Sequence, residues 1–195
     1  MIKKCRDAQK AAKQAIFALH RKDTAQALKL LKECEEYIQK DLLPIVEEEP
    51  PLRSGSFAGV MEEYAEGKLF YVWLLGKDEN APTEKPSGII LRPEDFEIAL
   101  EPDEYLGGLC DLTGEIGRFA VQQGTARDTE GVKQCLDSNG AIYLAIQTME
   151  RFPTGISKKM DQLRRSVEKL ERILYEMSLS EAAGGRKVET VEYNN

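Results

Sequence analysis

The 195-residue sequence holds a single histidine, His20. A Ser-His-Asp or Cys-His-Asp triad would have to be built on that one residue, and no local motif supports one. The paired Glu-x-x-His motifs of a di-iron bundle are also missing. Four cysteines, Cys5, Cys34, Cys110 and Cys135, lie far apart with no Cys-x-x-Cys pair. Their spacing excludes a cysteine-based zinc site and a redox dithiol, and it suits a reducing compartment. A cytoplasmic location is therefore expected, with the nucleus left open. No GxxxxGK[ST] or GxGxxG element is present, so the familiar phosphate cradles are unsupported. No stretch approaches the roughly 18 uninterrupted apolar residues of a membrane span. The charged start, Met1 to Asp7, does not read as a secretory signal. Thirty-four acidic residues against 27 basic ones leave a net charge of -7. That balance argues against a generally polybasic nucleic-acid binder but allows a local basic groove.

Proline and glycine are both absent from residues 1–43, which read as two helices. The first spans Ile2 to Arg21 and carries Ile16 and Leu19. Asp23 or Thr24 caps the second, whose face holds Leu28, Leu31, Ile38 and Leu42. Pro44 and the acidic Glu47-Glu48-Glu49-Pro50-Pro51 run are expected to break the helical pattern. A third helix is predicted over Phe57–Leu75, a fourth over Asp103–Gln123 and a fifth over Thr129–Arg151. Between the third and fourth, residues 76–102 read as a polar connector with a short extended piece at Ile89-Ile90-Leu91. After Pro153 and Gly155, Ser157 is expected to cap a last helix. Its apolar positions, Met160, Leu163, Val167, Leu170, Leu174 and Met177, alternate steps of three and four. That seam fits the core face of a bundle helix, and it also fits a subunit interface. Residues 182–195 read as a flexible tail, leaving 1–181 as a single all-α domain of about six or seven helices.

With histidine and cysteine chemistry set aside, carboxylates remain. Glu63 and Glu66 are three residues apart on one helix face, and Asp111 and Glu115 are four apart on another. Leu109, Leu112, Ile116, Phe119 and Ala120 form the apolar arc of the fourth helix, opposite Asp111, Glu115 and Arg118. Gly107 and Gly114 sit beside the acids, where mid-helix glycine costs roughly 1 kcal/mol and implies close approach by a helix or ligand. One reading is a solvated polar face with a Glu115–Arg118 salt bridge. The other is two carboxylate pairs around a divalent metal, where oxygen-only ligands suit Mg²⁺ or Mn²⁺ and phosphodiester hydrolysis.

The stretch Tyr105-Leu-Gly-Gly-Leu-Cys-Asp-Leu-Thr-Gly-Glu-Ile-Gly-Arg118 resembles the signature helix of the translin family, in particular its factor X branch. Arg6-Asp7 and Ile16-Phe-Ala-Leu-His-Arg21 resemble that family's first helix. Ser157-Lys-Lys-Met-Asp through Leu170-Glu-Arg-Ile-Leu-Tyr-Glu-Met177 resembles its last. The resemblance implies an all-α bundle assembling into a hollow, typically octameric barrel. The partner would be the same chain or a translin-like subunit. It further implies a metal-dependent endoribonuclease acting in passenger-strand removal or precursor-RNA trimming. Glu63-Tyr64-Ala65-Glu66 and Asp111-Leu-Thr-Gly-Glu115 match the two acidic motifs, so all four acids are expected to bind Mg²⁺ or Mn²⁺. Single-stranded RNA is the expected partner, single-stranded DNA a second class, and a membrane is not expected. Lys10, Lys13, Arg21 and Arg118 are the candidate phosphate contacts. Tyr64 either stacks on a base or packs against a neighbouring helix, and His20 is expected to make a structural hydrogen bond. A non-catalytic nucleic-acid-binding subunit and a helical scaffold are the competing functions.

Overall fold

A computed structural model describes residues 1–77, 85–151 and 153–184, in which helices and turns occur but no strand. In chain order these are α1 (Ile2–His20), α2 (Thr24–Glu36), a π-helical segment (Tyr37–Leu42), α3 (Leu43–Glu48), α4 (Ser56–Leu75), α5 (Pro102–Thr125), α6 (Thr129–Gln147) and α7 (Thr154–Gly184). The all-α expectation holds. No helix among the described residues is long and apolar enough to cross a membrane.

Helix α4 is apolar around most of its circumference, the mark of a central helix. Phe57, Val60, Met61, Tyr64, Ala65, Leu69, Phe70 and Trp73 have no exposed surface. It packs between α1 and α5, with α2 behind α1 and with α6 and α7 behind α5. On α1 the fully covered small residues Ala8, Ala12, Ala15 and Ala18 allow close contact with both α2 and α4. Asp23 caps α2 by accepting from the Gln26 N–H at 3.1 Å.

The expected break at Pro44 does not occur, and the chain stays helical to Glu48. The π turn explains this: the Leu43 N–H reaches back five residues to Ile38 O. Pro44 then falls in the first turn of α3, where a missing N–H costs little. Helix α6 ends at Gln147 rather than at Arg151. There the Thr148 hydroxyl donates to Leu144 O and Ala145 O and closes the final turn. Helix α7 begins at Thr154, three residues before Ser157, and continues through Gly184. Pro153 supplies the turn into it, accepting from the Ile156 N–H at 3.0 Å. Ala182 to Gly184 therefore belong to α7, and the remainder of the expected tail lies outside the described residues.

The connector is more than a polar loop. Residues 78–84 lie outside the described part, but Leu91, Phe96 and Ile98 are buried. Ile89–Leu91, expected to be an extended piece, forms no strand among the described residues. The Tyr105 hydroxyl donates to Leu91 O at 2.9 Å, and Phe96 meets Tyr64 and Tyr105 edge-on.

Gly108 fixes how closely α5 approaches α4, and Gly107 beside it makes room for the Glu62 side chain. A Cβ on Gly108 would lie 2.6 Å from Ala65 Cβ and 2.9 Å from Glu62 O and Glu66 N. On Gly107 it would lie 2.6 Å from Glu62 Cδ. Backbone cannot retreat as a side chain can, so Gly108→Ala is expected to cost about 2–3 kcal/mol, or roughly 5–10 °C in melting temperature. Gly140 on α6 has nothing within 4 Å of its would-be Cβ. There the same substitution should raise stability by about 0.5–1 kcal/mol. Thermal unfolding of the two variants checks this, and a Gly108→Ala melt at or above wild type would refute the close contact.

Candidate functional site

The close approach at Gly108 sets Glu62, Glu63 and Glu66 of α4 beside the Asp111–Glu115 turn of α5. Glu63, Glu66, Asp111 and Glu115 all line one cleft of about 400 Å³, together with Lys13, Ile16, Phe17, Gly114, Arg118 and Gln162. The sequence expectation that two helices bring four acids together is thereby met in space. This is not an ordinary solvated face: Glu66 is 9% exposed and Glu115 6%.

Each acid is held differently. Glu115 accepts from His20 Nε2 at 2.6 Å and pairs with Arg118 at 3.0 Å. The expected Glu115–Arg118 bridge thus exists, joining a covered carboxylate to an exposed guanidinium. Glu63 pairs with Lys13 at 3.4 Å. Asp111 Oδ2 lies 2.7 Å from the Lys159 ammonium. Glu66 has no hydrogen-bond or ion-pair partner among the described residues. Burial first, then the neighbouring Glu63, Asp111 and Glu115, pushes its carboxyl up to about 8, with Lys159 opposing. Burial also raises Glu63 and Asp111, against the pull of Lys13 and Lys159 respectively.

His20 does make a hydrogen bond, as expected, but its partner is a candidate ligand 95 residues away. Its ring lies 4.9 Å from Phe70, and Nδ1 is buried without a partner. Donating Nε2–H to Glu115 and leaving Nδ1 bare is the tautomer that buries no unpaired N–H.

Of the four candidate phosphate contacts, Lys13 and Arg118 line the cleft and the other two do not. Lys10 sits in a separate surface depression with Asp7, Glu33 and Tyr37. Arg21, exposed just past the end of α1, is not among the lining residues. Tyr64 does not stack on a ligand, being fully buried. Its hydroxyl reaches Glu35 at 3.2 Å and Glu97 at 3.3 Å, both of which also bind Lys68. The aromatic at the cleft is instead Phe17, 55% exposed. Lys159, Glu62 and Phe17 were not singled out from sequence. Only the fold brings α7 onto α5 and aims α1 at the acids.

The donor set fits a hard divalent cation in type and charge: clustered carboxylate groups, one of them unpartnered and raised by burial first and by its acidic neighbours second. It is not a finished cage. Among the described residues no three His, Cys, Asp or Glu side chains are gathered tightly enough to hold an ion. Lys13, Lys159 and His20 occupy carboxylate oxygens instead.

A central apolar helix flanked by α1 and α5, with a carboxylate-lined cleft between them, defines an all-helical bundle of the kind that carries a polar site at a helix junction. The sequence matches the Translin family over residues 1–181, and the chain belongs to that family. The translin-associated protein X homolog of Schizosaccharomyces pombe is 26% identical over 187 residues, covering 88% of this chain and 76% of its own length. Among solved structures, apo-NeC3PO superposes with a TM-score of 0.75 at 21% identity, over 90% of this chain and 87% of the other. AfC3PO gives 0.74 at 22% identity over 92% and 88%. The AfC3PO–duplex RNA complex gives 0.71 at 21% identity over the same 92% and 88%.

Proposed function

We propose that the protein is a divalent-metal-dependent endoribonuclease of the translin-associated factor X type. One observation carries the reading: Glu63, Glu66, Asp111 and Glu115 line a single cleft in which Glu66 is buried, unpartnered and raised to about 8. Similarity to a translin-associated protein X homolog and to a fold also seen bound to duplex RNA supports it. Glu63, Glu66, Asp111 and Glu115 would hold Mg²⁺ or Mn²⁺. When bound, such an ion supplies neutralisation of phosphate charge and activation of water. The chain's own residues do the rest. Lys13 and Arg118 hold phosphate at the mouth, His20 orients Glu115, and Phe17 offers a face for a base. The test is cleavage of single-stranded RNA with Mg²⁺ or Mn²⁺, abolished by chelator. The wild-type protein is expected to cleave only with metal.

The ion pairs already on Glu63, Asp111 and Glu115 favour a second reading, a non-catalytic subunit that binds single-stranded RNA or DNA. Binding without metal-dependent cleavage in the same assay would select it.

Substrate contact has its own expected result. Phe17→Ala should weaken single-stranded RNA binding roughly tenfold, since one base–aromatic stack is worth about 1–3 kcal/mol. The salt dependence should not change, because no phosphate contact is lost. Fluorescence anisotropy across a salt series measures both. A Phe17→Ala curve superimposed on wild type would remove stacking from the site.

The assembly is proposed to be a translin-type oligomer, homomeric or with a translin-like subunit, and octameric. The α7 seam supports it. Leu163 and Leu170 enter the core, whereas Met160, Val167, Leu174 and Met177 stay only partly covered. Tyr175 and Leu179 beside them are exposed. Light scattering should give a mass several times 21.9 kDa for the protein alone or with its partner subunit.

A further inference from the structure

Lys159 occupies a position that the proposed metal reading leaves unexplained. Its ammonium donates to Asp111 Oδ2 at 2.7 Å, Glu62 Oε2 at 2.8 Å and Gly107 O at 3.2 Å. Those three acceptors match its three N–H donors. The side chain comes from α7, while its partners lie on α5 and α4, so one cation ties three helices at the cleft. Glu62 does not line the cleft, yet it shares this lysine with Asp111, which does.

We infer that Lys159 is the resident counter-cation of the cleft, holding Asp111 until a divalent ion is admitted and then retiring onto Glu62 and Gly107 O. This rests on the reading of the cleft as a divalent-metal site. An ammonium hydrogen-bonded to Asp111 competes directly with a divalent ion for the same carboxylate and repels it at short range. Lysine suits the role because its charge is a compact point on a flexible four-carbon stem with rotatable donors. Shifting from Asp111 leaves it two acceptors, so the move strands no buried charge. Glu62, packed against Gly107 at the edge of the site, is the holding place.

The role predicts a direction that a purely structural lysine would not give. Mn²⁺ is titrated calorimetrically into the metal-free full-length protein, with helix content checked by circular dichroism. Lys159→Met should bind Mn²⁺ about tenfold tighter or better, since a competing unit charge within a few ångströms is gone. Lys159→Arg, which keeps the charge, should stay near wild type. Lys159→Met should also melt lower than wild type without metal, and saturating Mn²⁺ should close that gap. A lysine that merely braces α7 would leave affinity unchanged or weaken it, and either result in folded Lys159→Met overturns the inference. Should that variant fail to fold, Glu62→Gln serves. Without its holding place the lysine stays on Asp111, so Mn²⁺ should bind several-fold more weakly, and unchanged affinity overturns the inference. If wild type itself takes up no Mn²⁺, the metal reading falls first. If wild type binds normally and the variants match it, only the role of Lys159 falls.

Discussion

Asp111→Asn is expected to reduce RNA cleavage by at least about 100-fold, some 2.7 kcal/mol of transition-state stabilisation, while leaving the fold and the oligomer intact. The substitution keeps side-chain volume and an accepting oxygen, so the Lys159 hydrogen bond has somewhere to go. What it removes is a negative charge at a cleft where charge is the working quantity. Asp111 is raised by burial and contributes to the rise in Glu66, so its neutralisation relieves repulsion among the remaining acids. Binding of single-stranded RNA should therefore survive and even tighten, since a phosphate backbone meets one negative charge fewer. This split between lost turnover and retained binding is the signature of a residue acting in the chemical step. Glu115→Gln makes a harsher companion, because it also alters the His20 and Arg118 contacts. Full activity in correctly folded Asp111→Asn, with mass and circular dichroism unchanged, would reduce the acidic cleft to covered but inert surface.

What could be read from sequence follows from the range of the interactions involved. Spacing within a helix is local, so Glu63 with Glu66 and Asp111 with Glu115 were visible as pairs, as was the apolar arc through Leu112 and Ile116. The resemblance joined the two pairs into one expected site. Local reading failed where geometry overrode propensity. Pro44 sits inside a continuous helical run because a π turn shifts the frame ahead of it. The 76–102 segment looks polar by composition, yet it inserts Leu91, Phe96 and Ile98 into the core. Contacts between distant segments had no local signal. Lys159 reaches Asp111 across 48 residues, His20 reaches Glu115 across 95, and Lys10 points away from Lys13's cleft. Tyr64, adjacent to Glu63 in sequence, is turned about 100° away from it by the helix and locked by Glu35 and Glu97.

Glu66→Gln is expected to make the metal-free protein more stable than wild type at pH 8 and no different near pH 4. In the native cleft the Glu66 carboxyl is raised to about 8, whereas an unfolded chain ionises it near its ordinary 4.5. Between those values the unfolded state has shed a proton that the native state still holds. Stability must then fall as pH rises through that window, by at most about 1.4 kcal/mol per unit. Glu63 and Asp111, also raised, push in the same direction, with Lys13 and Lys159 opposing them in turn. Glutamine imitates the protonated acid, so it matches wild type at low pH and escapes the penalty at high pH. Integrated from 4.5 to 8, the difference at pH 8 is about 4 kcal/mol, which corresponds to roughly 8–16 °C in melting temperature. Saturating Mn²⁺ at pH 8 should reverse the order, because wild type then gains a ligand interaction that the variant lacks. Calorimetry of both proteins from pH 4 to pH 8 in chelator, repeated with Mn²⁺, measures every part of this. Parallel stability curves for the two proteins would mean that Glu66 ionises freely and that the cleft carries no stored repulsion for a cation to relieve.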